Sequence, residues 1–229
     1  MKNISLVVFD IAGTTVSDKG NINECFRDAF ASEGLTVTAE DVDQVMGYRK
    51  IEAVEIIVNK YTINEGFGQY DRIQRIHDHF NNAMVAFYTN NNELTAMPFA
   101  EELFEILNSN RIKVALNTGF TREITDAILV NLKWDKHPFI QSTICSDEVD
   151  EGRPQPFMIK ELMNRLDISD ASQVVKIGDT EVDIKEGRNS GCGMVVAVTT
   201  GTYTREQLVQ FQPDHIIDSL QEFPALIHI

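Results

Sequence analysis

The chain has 229 residues, 43% of them hydrophobic and 24% charged, which is enough for one sizeable core or a core domain carrying a smaller insert. Thirty-five acidic side chains stand against 20 Lys and Arg, a net charge of -15 with no basic run, so no nucleic-acid partner is expected. Cys25, Cys145 and Cys192 are scattered without a CxxC pair, which argues against a disulfide framework or zinc site and for a reducing cytoplasm.

In chain order, Leu6-Val7-Val8-Phe9-Asp10 is an apolar run, long enough for one buried strand, that ends in a carboxylate. That strand begins at about residue 4, leaving no room for a signal peptide, and no apolar run reaches transmembrane length. A cytoplasmic protein with no membrane partner is expected. The small residues Ala12-Gly13-Thr14-Thr15 follow as a loop. Residues 23–33 read as an amphipathic helix with Phe26, Ala29 and Phe30 on one face. Thr38-Ala39-Glu40-Asp41 is a capping-box pattern that opens a short helix running to Gly47. Residues 50–61, with Ile51, Val54, Ile57 and Val58 on one stripe, predict a third helix. Residues 70–88, marked by Ile73, Ile76, Phe80, Met84 and Phe87, predict a longer fourth. No strand pattern interrupts residues 18–97, and the polar stretch at 89–93 reads as the hinge returning the chain to the core.

After Pro98, helices and strands alternate. Helices are predicted over 99–108, 122–132, 156–166, 181–189 and 205–211. Strands are predicted over 112–117, 140–145, 174–178 and 193–198, with an edge strand at 215–217 before a terminal helix. The alternation predicts an α/β fold, a Rossmann-like parallel sheet with helices on both faces. Residues 1–17 and 98–229 would form this core, and residues 18–97 an inserted all-helical cap.

Ligands of open α/β sheets bind beyond the carboxyl ends of the strands. Four strand ends supply chemistry there. Asp10 ends the first, and Asn117-Thr118-Gly119 ends the second, offering a hydroxyl and backbone N–H groups at a helix start. Glu151-Gly152-Arg153-Pro154 follows the third and can bring a guanidinium to a phosphoryl group. Gly178-Asp179 ends the fourth, with Asp183 four residues on and on the same helix face. Taken singly, Asp10 could serve a turn, Thr118 a cap, Arg153 the surface, and Asp183 a helix dipole. Two buried strands ending in carboxylates crowd negative charge at one sheet edge, where a bound cation is the natural remedy. Hard oxygen ligands suit magnesium.

With these motifs in this order, the chain resembles the haloacid dehalogenase superfamily, and specifically its phosphonatase branch, over essentially its whole length. The superfamily's aspartate nucleophile, Thr/Ser, Lys/Arg and Gly-Asp acidic motif map onto Asp10, Thr118, Arg153, and Asp179 with Asp183. Most phosphatases of the superfamily carry a general acid two residues after the nucleophile; here Ala12 stands there. Asp10-Ile11-Ala12-Gly13-Thr14-Thr15 looks like the phosphonatase form of the motif, as does Arg153 where most relatives use Lys. Met46-Gly47-Tyr48-Arg49-Lys50 resembles the branch's Met-Gly-x-x-Lys stretch, whose lysine forms an imine with the aldehyde of phosphonoacetaldehyde. Two positions depart from the branch: Ala53 replaces its His three residues after the lysine, and Phe120 replaces the Tyr after its Thr-Gly.

The resemblance implies a magnesium-dependent hydrolase acting on a small phosphorylated or phosphonate substrate. Asp10 would form an aspartyl-phosphate and Lys50 an imine. Magnesium would be held by Asp10, the carbonyl of Ala12, and Asp179, with Asp183 in support. Thr118, Gly119 and Arg153 would hold the phosphoryl oxygens, with Gly13, Thr14 and Met46 also lining the substrate site. The runner-up is a phosphatase acting on a small phosphate monoester with the same nucleophile, and further behind stands a non-catalytic binding protein that kept the fold. Relatives often dimerise through their caps, which implies a homodimer here. Read without the resemblance, Lys50 is a solvated lysine at a helix start.

Overall fold

A computed structural model describes residues 4–62, 68–91 and 93–229. Its centre is a six-stranded parallel sheet of β1 (Leu6–Asp10), β2 (Lys113–Thr118), β3 (Ser142–Cys145), β4 (Val174–Gly178), β5 (Met194–Val198) and β6 (His215–Ile217). The order is β3-β2-β1-β4-β5-β6. β1 and β4 are buried along their whole length, as expected of inner strands covered on both faces. Val7, Phe9, Val114, Leu116, Val175 and Ile177 pack into one apolar cluster, and Leu6, Val8, Ala115, Val174 and Val195 into a second. The alternation along each strand assigns the two clusters to opposite faces of the sheet.

The predicted parallel core is therefore present, with small shifts at its ends. β3 is two residues shorter than expected, because the Ile140 N–H turns back onto the His137 carbonyl instead of joining the ladder. β2 runs one residue further and takes in Thr118. Its flanking helices are α5 (Ala100–Ser109), α6 (Arg122–Asn131), α7 (Phe157–Arg165), α8 (Glu181–Ser190), α9 (Arg205–Val209) and α10 (Phe223–Leu226).

Between β1 and α5 the chain forms α1 (Asn21–Ser32), α2 (Ala39–Asp43), α3 (Lys50–Tyr61) and α4 (Gln69–Asn90). Phe26 of α1 packs on Phe80 of α4 with ring centroids 4.1 Å apart, and Val54, Val58, Ile76 and Met84 join the same cluster. α1 starts two residues earlier than expected, because the Asp18 carboxylate accepts the Asn21 N–H and opens the helix there. The Thr38–Asp41 capping box forms, but α2 ends at Asp43 and turns carry the chain to Gly47. The chain leaves and re-enters the core side by side: Val16 bridges Ala96, and the Ser17 N–H donates to the Thr95 carbonyl. Of the predicted hinge at 89–93, Thr89 and Asn90 instead form the end of α4, and Asn92 lies outside the described residues.

Candidate active site

Strand register brings the site together. Asp10 pairs with Asn117, and Phe9 with Ile177, so the carboxyl ends of β1, β2 and β4 are level. Over this edge lies a cavity of about 190 Å³. Asp10, Ala12, Gly13, Thr118, Gly119 and Asp179 line it from the core, and Met46, Gly47 and Lys50 from the helical segment. Eight of the eleven residues expected to form the site thus share one cavity, together with Gly47. Thr14, Arg153 and Asp183 stand behind its wall.

Asp10 Oδ1 accepts a hydrogen bond from Arg153 Nη1 at 2.7 Å, while Oδ2 has no hydrogen-bond partner among the described residues. Burial raises the Asp10 carboxyl above its usual range, against the nearby guanidinium. Asp179 is fixed on both oxygens: Thr14 Oγ1 donates to Oδ1 at 3.2 Å, and the Thr202 N–H to Oδ2 at 2.7 Å. Burial and then the charge of Asp10 push the Asp179 carboxyl well up. A Cβ on Gly201 would stand 2.0 Å from Asp179 Oδ2, so only glycine lets the backbone come this close. Asp183 Oδ2 accepts from the Thr180 hydroxyl at 2.6 Å and its N–H at 3.2 Å, capping α8. Its Oδ1 lies 3.0 Å from both Arg153 Nη1 and Lys176 Nζ. Burial pushes this carboxyl up, but the two cations outweigh it and hold it below the usual range.

Arg153 is 0% exposed. Besides Asp10, its Nη2 donates to the Asn117 carbonyl at 2.6 Å and to the Asn117 side-chain oxygen at 2.8 Å. Its Nε lies 3.2 Å from Glu186. The guanidinium expected to grip a phosphoryl group is engaged in this structure by three carboxylates and Asn117. The Thr14 hydroxyl is likewise engaged, donating to Asp179.

The reading of Lys50 as a solvated lysine is overturned as well. It is 3% exposed, and its Nζ sits 5.5 Å from the Phe26 ring centroid and 5.1 Å from that of Phe120. No hydrogen bond or ion pair is formed by this ammonium among the described residues. Burial is the main reason its pKa is lowered to about 8. Ile51, expected on the buried stripe of α3, is only partly buried, and Lys50 and Ala53 take the buried face with Val54, Ile57 and Val58.

Sequence reasoning missed Lys176 and Glu186, and the role of the Asn117 side chain. Lys176 is 0% exposed inside β4, and its Nζ donates to Asn117 Oδ1 at 2.6 Å. Asn117 Nδ2 donates to both oxygens of Glu186, each at 2.9 Å. The signal was present as a lone lysine within the apolar run Val174-Val175-Lys176-Ile177, since a lysine buried in a central strand needs paired carboxylates.

Asp10, Asp179 and Asp183 each offer an oxygen within 4.8 Å of the others, an arrangement able to hold a metal ion. Four buried carboxylates, counting Glu186, face three buried cations, Lys50, Arg153 and Lys176, leaving one formal negative charge. All-oxygen donors and an excess of negative charge fit a hard divalent cation.

A strand-end aspartate with one free oxygen, an acidic pair following a neighbouring strand and a helical segment over them form a candidate hydrolase site on a parallel α/β core. The profile described as haloacid dehalogenase-like hydrolase matches residues 7–197, and the chain belongs to this family of hydrolases. It is 30% identical over 234 residues to the phosphonoacetaldehyde hydrolase of Bacillus anthracis, covering 95% of this chain and 86% of that protein. In structure it is similar to a hydrolase from Pseudomonas syringae, with a TM-score of 0.84 at 18% identity over 98% of this chain and 99% of that one. It is similar also to a phosphonoacetaldehyde hydrolase-like protein from Oleispira antarctica, with a TM-score of 0.83 at 23% identity over 99% of this chain and 92% of that one. Both likenesses are of fold. No helix among the described residues is long and apolar enough to cross a membrane.

Proposed function

We propose that this hydrolase cleaves the carbon–phosphorus bond of phosphonoacetaldehyde or a close analogue. The observation that carries the reading is Lys50: a buried, unpaired amine in the same cavity as the free oxygen of Asp10. An amine in that state adds to a carbonyl, and the resulting C=N⁺ accepts the electron pair of the breaking carbon–phosphorus bond. The leaving group is then an enamine, which needs no acid at the position of Ala12. A phosphate ester would need one, since protonating an alkoxide contributes about 10²–10⁴-fold.

Asp10 Oδ2 attacks phosphorus to form an aspartyl-phosphate, which water then hydrolyses to phosphate and free Asp10, and Arg153 holds Oδ1 so that the free oxygen stays aimed. Thr118 and the N–H groups after it, at the start of α6, bind phosphoryl oxygens. Asp10, the Ala12 carbonyl and Asp179 would hold magnesium, with Asp183 anchoring Arg153 and Lys176 beneath. The ion would supply neutralisation of phosphoryl charge. Residues 18–97 act as the cap that excludes water, and residues 1–17 and 98–229 as the core.

The test offers the purified protein phosphonoacetaldehyde beside a panel of small phosphate esters, with borohydride present in one arm. Expected are acetaldehyde and phosphate from the phosphonate, a two-carbon adduct on Lys50, and loss of both in Lys50→Arg. Turnover of an ester by Lys50→Arg at the wild-type rate, with no adduct, would make the protein a phosphatase instead.

A further inference from the structure

Imine chemistry moves protons as well as electrons, and the residues around Lys50 leave that task open. Ala53, one turn along α3, cannot carry a proton, and Phe120 turns only a ring towards Lys50. Asp10 is bonded to Arg153, and Asp179 is bonded on both oxygens. Asp43, which also lines the cavity, is engaged by the side chain of Asn23 at 2.7 Å.

Asp18 differs from all of these. It lines the Lys50 cavity and also a second cavity of about 160 Å³, bounded by Lys19, Tyr88, Asn91 and Glu93 beside the hinge. Lys19 and Glu93 are exposed, so this second cavity reaches solvent. That volume has room for water, and polar side chains line it. Asp18 Oδ1 accepts the Asn21 N–H at 3.1 Å, while Oδ2 has no side-chain partner among the described residues. Asp18 is half-buried, and burial lifts its carboxyl above its usual range despite bonds from the backbone of Ile22, Asn21 and Gly20. The charges of Asp18 and Lys50 act on each other.

We propose that Asp18 is the proton-transfer residue of the Lys50 reaction, exchanging protons with solvent through the hinge cavity. The proposal rests on the imine reading above. Lys50 Nζ adds its lone pair to the aldehyde carbon, and the π pair and one amine proton go to oxygen. Asp18 gives that hydroxyl a second proton and it leaves as water, while the nitrogen lone pair closes C=N⁺. Water in the hinge cavity reprotonates Asp18. Attack by Asp10 on phosphorus breaks the carbon–phosphorus bond, whose electron pair becomes the enamine C=C. Asp18 protonates the terminal carbon, then as a carboxylate takes a proton from the water that hydrolyses the iminium and frees Lys50.

Asp18→Asn isolates this role, because the amide oxygen still accepts the Asn21 N–H and keeps the start of α1. Expected is a fall in kcat of about 10²–10⁴-fold with KM within a few-fold, and slower borohydride trapping of the two-carbon adduct on Lys50. Should this variant not fold, Asp18→Ser carries the test, since serine is also a good acceptor at a helix start. Formate should then restore part of the lost rate by entering through the hinge cavity, a rescue that a structural role would not give. An Asn or Ser variant with wild-type kcat and trapping rate overturns the proposal, as does a folded, slow Ser variant that formate leaves unchanged. No adduct in the wild type overturns the imine reading and this one together; a wild-type adduct with unaffected Asp18 variants overturns this one alone.

Discussion

At the scale of single residues, the site is a set of charges held where water would not leave them. Lys50 carries the clearest consequence. Its amine must be neutral to attack a carbonyl, and with a pKa lowered to about 8 only a minority is neutral at pH 7. Phosphonoacetaldehyde turnover should therefore rise with pH and level off above about 8; a rate already flat from pH 6 would mean that Lys50 is not the attacking amine. The same shift has a stability sign. The unfolded chain binds a proton at Lys50 up to its ordinary pKa of 10.5, but the folded chain releases it near 8. Stability therefore falls as pH drops from 10.5 to 8, and the full penalty persists at every pH below 8. Lys50→Met should raise stability at pH 7 by up to about 3 kcal/mol, read as a higher urea midpoint at unchanged m, while abolishing imine formation. Much of this residue layer was legible in the chain: Asp10, Thr118 and Asp179 sit at strand ends in βα order, where only position in the sheet was needed to place them. The burial of Lys50 was not, because α3 gave an apolar stripe that fits with Lys50 on either side of it. Nor was the Lys176–Asn117–Glu186 bridge, which joins three elements through side chains whose spacing carries no pattern.

At the scale of elements, what matters is how the turn at 46–50 sits on the core. It is received by glycines. A Cβ on Gly119 would stand 2.3 Å from the Tyr48 carbonyl and 2.5 Å from that of Gly47. Gly47 has φ +87, and its own Cβ would meet Thr180 Oγ1 at 2.6 Å. Arg49 completes the seat, Nη1 donating to the Asp150 carbonyl at 3.0 Å. The strand ends after β2, β3 and β4 thus each touch the turn that delivers Lys50. Gly119→Ala should keep the core intact, with a melting temperature close to wild type, but prop the cap open. Fluorescence or hydrogen exchange at α3 should report the opening, and kcat/KM should fall by about 10²-fold, the order of loss that a 1 Å misplacement of a reacting group produces. A variant with unchanged kcat/KM would show that this contact is dispensable. The helices and strands themselves were read from periodicity to within two residues at most ends. The exception is α2, which was expected to run to Gly47 and stops at Asp43. Its capping box was visible, but the turn that follows exists to bring Gly47 and Lys50 to the core, a tertiary demand with no local signature.

At the scale of the whole molecule, a chain of net charge -15 concentrates three carboxylates at the one sheet edge where its β1 and β4 end. Without a cation, burial raises both Asp10 and Asp179, the charge of Asp10 further disfavours ionised Asp179, and that of Asp183 disfavours ionised Asp10. That repulsion is present in the folded state and absent from the unfolded one, so a divalent ion bound only by the folded chain should stabilise it. At a magnesium concentration of 100 times Kd the gain is about 2.7 kcal/mol, or roughly 5–10 °C in melting temperature for a chain of this size. Asp179→Asn removes one ligand charge and keeps a side chain able to accept the Thr202 N–H. It should raise the melting temperature of the metal-free protein by removing a buried carboxylate that faces the charges of Asp10 and Asp183, and should remove most of the magnesium-dependent rise. Asp183→Asn should behave differently, because Asp183 is the carboxylate that Arg153 and Lys176 hold ionised. Its loss leaves two buried cations short of a partner, so the metal-free protein should melt several degrees lower, by the few kcal/mol that a broken buried pair removes. Thermal melts of the wild type and both variants, with magnesium and with a chelator, separate the two carboxylates. If Asp179→Asn and Asp183→Asn shift the metal-free melt in the same direction, the division of the acidic motif into a metal-facing and a cation-anchoring member is wrong.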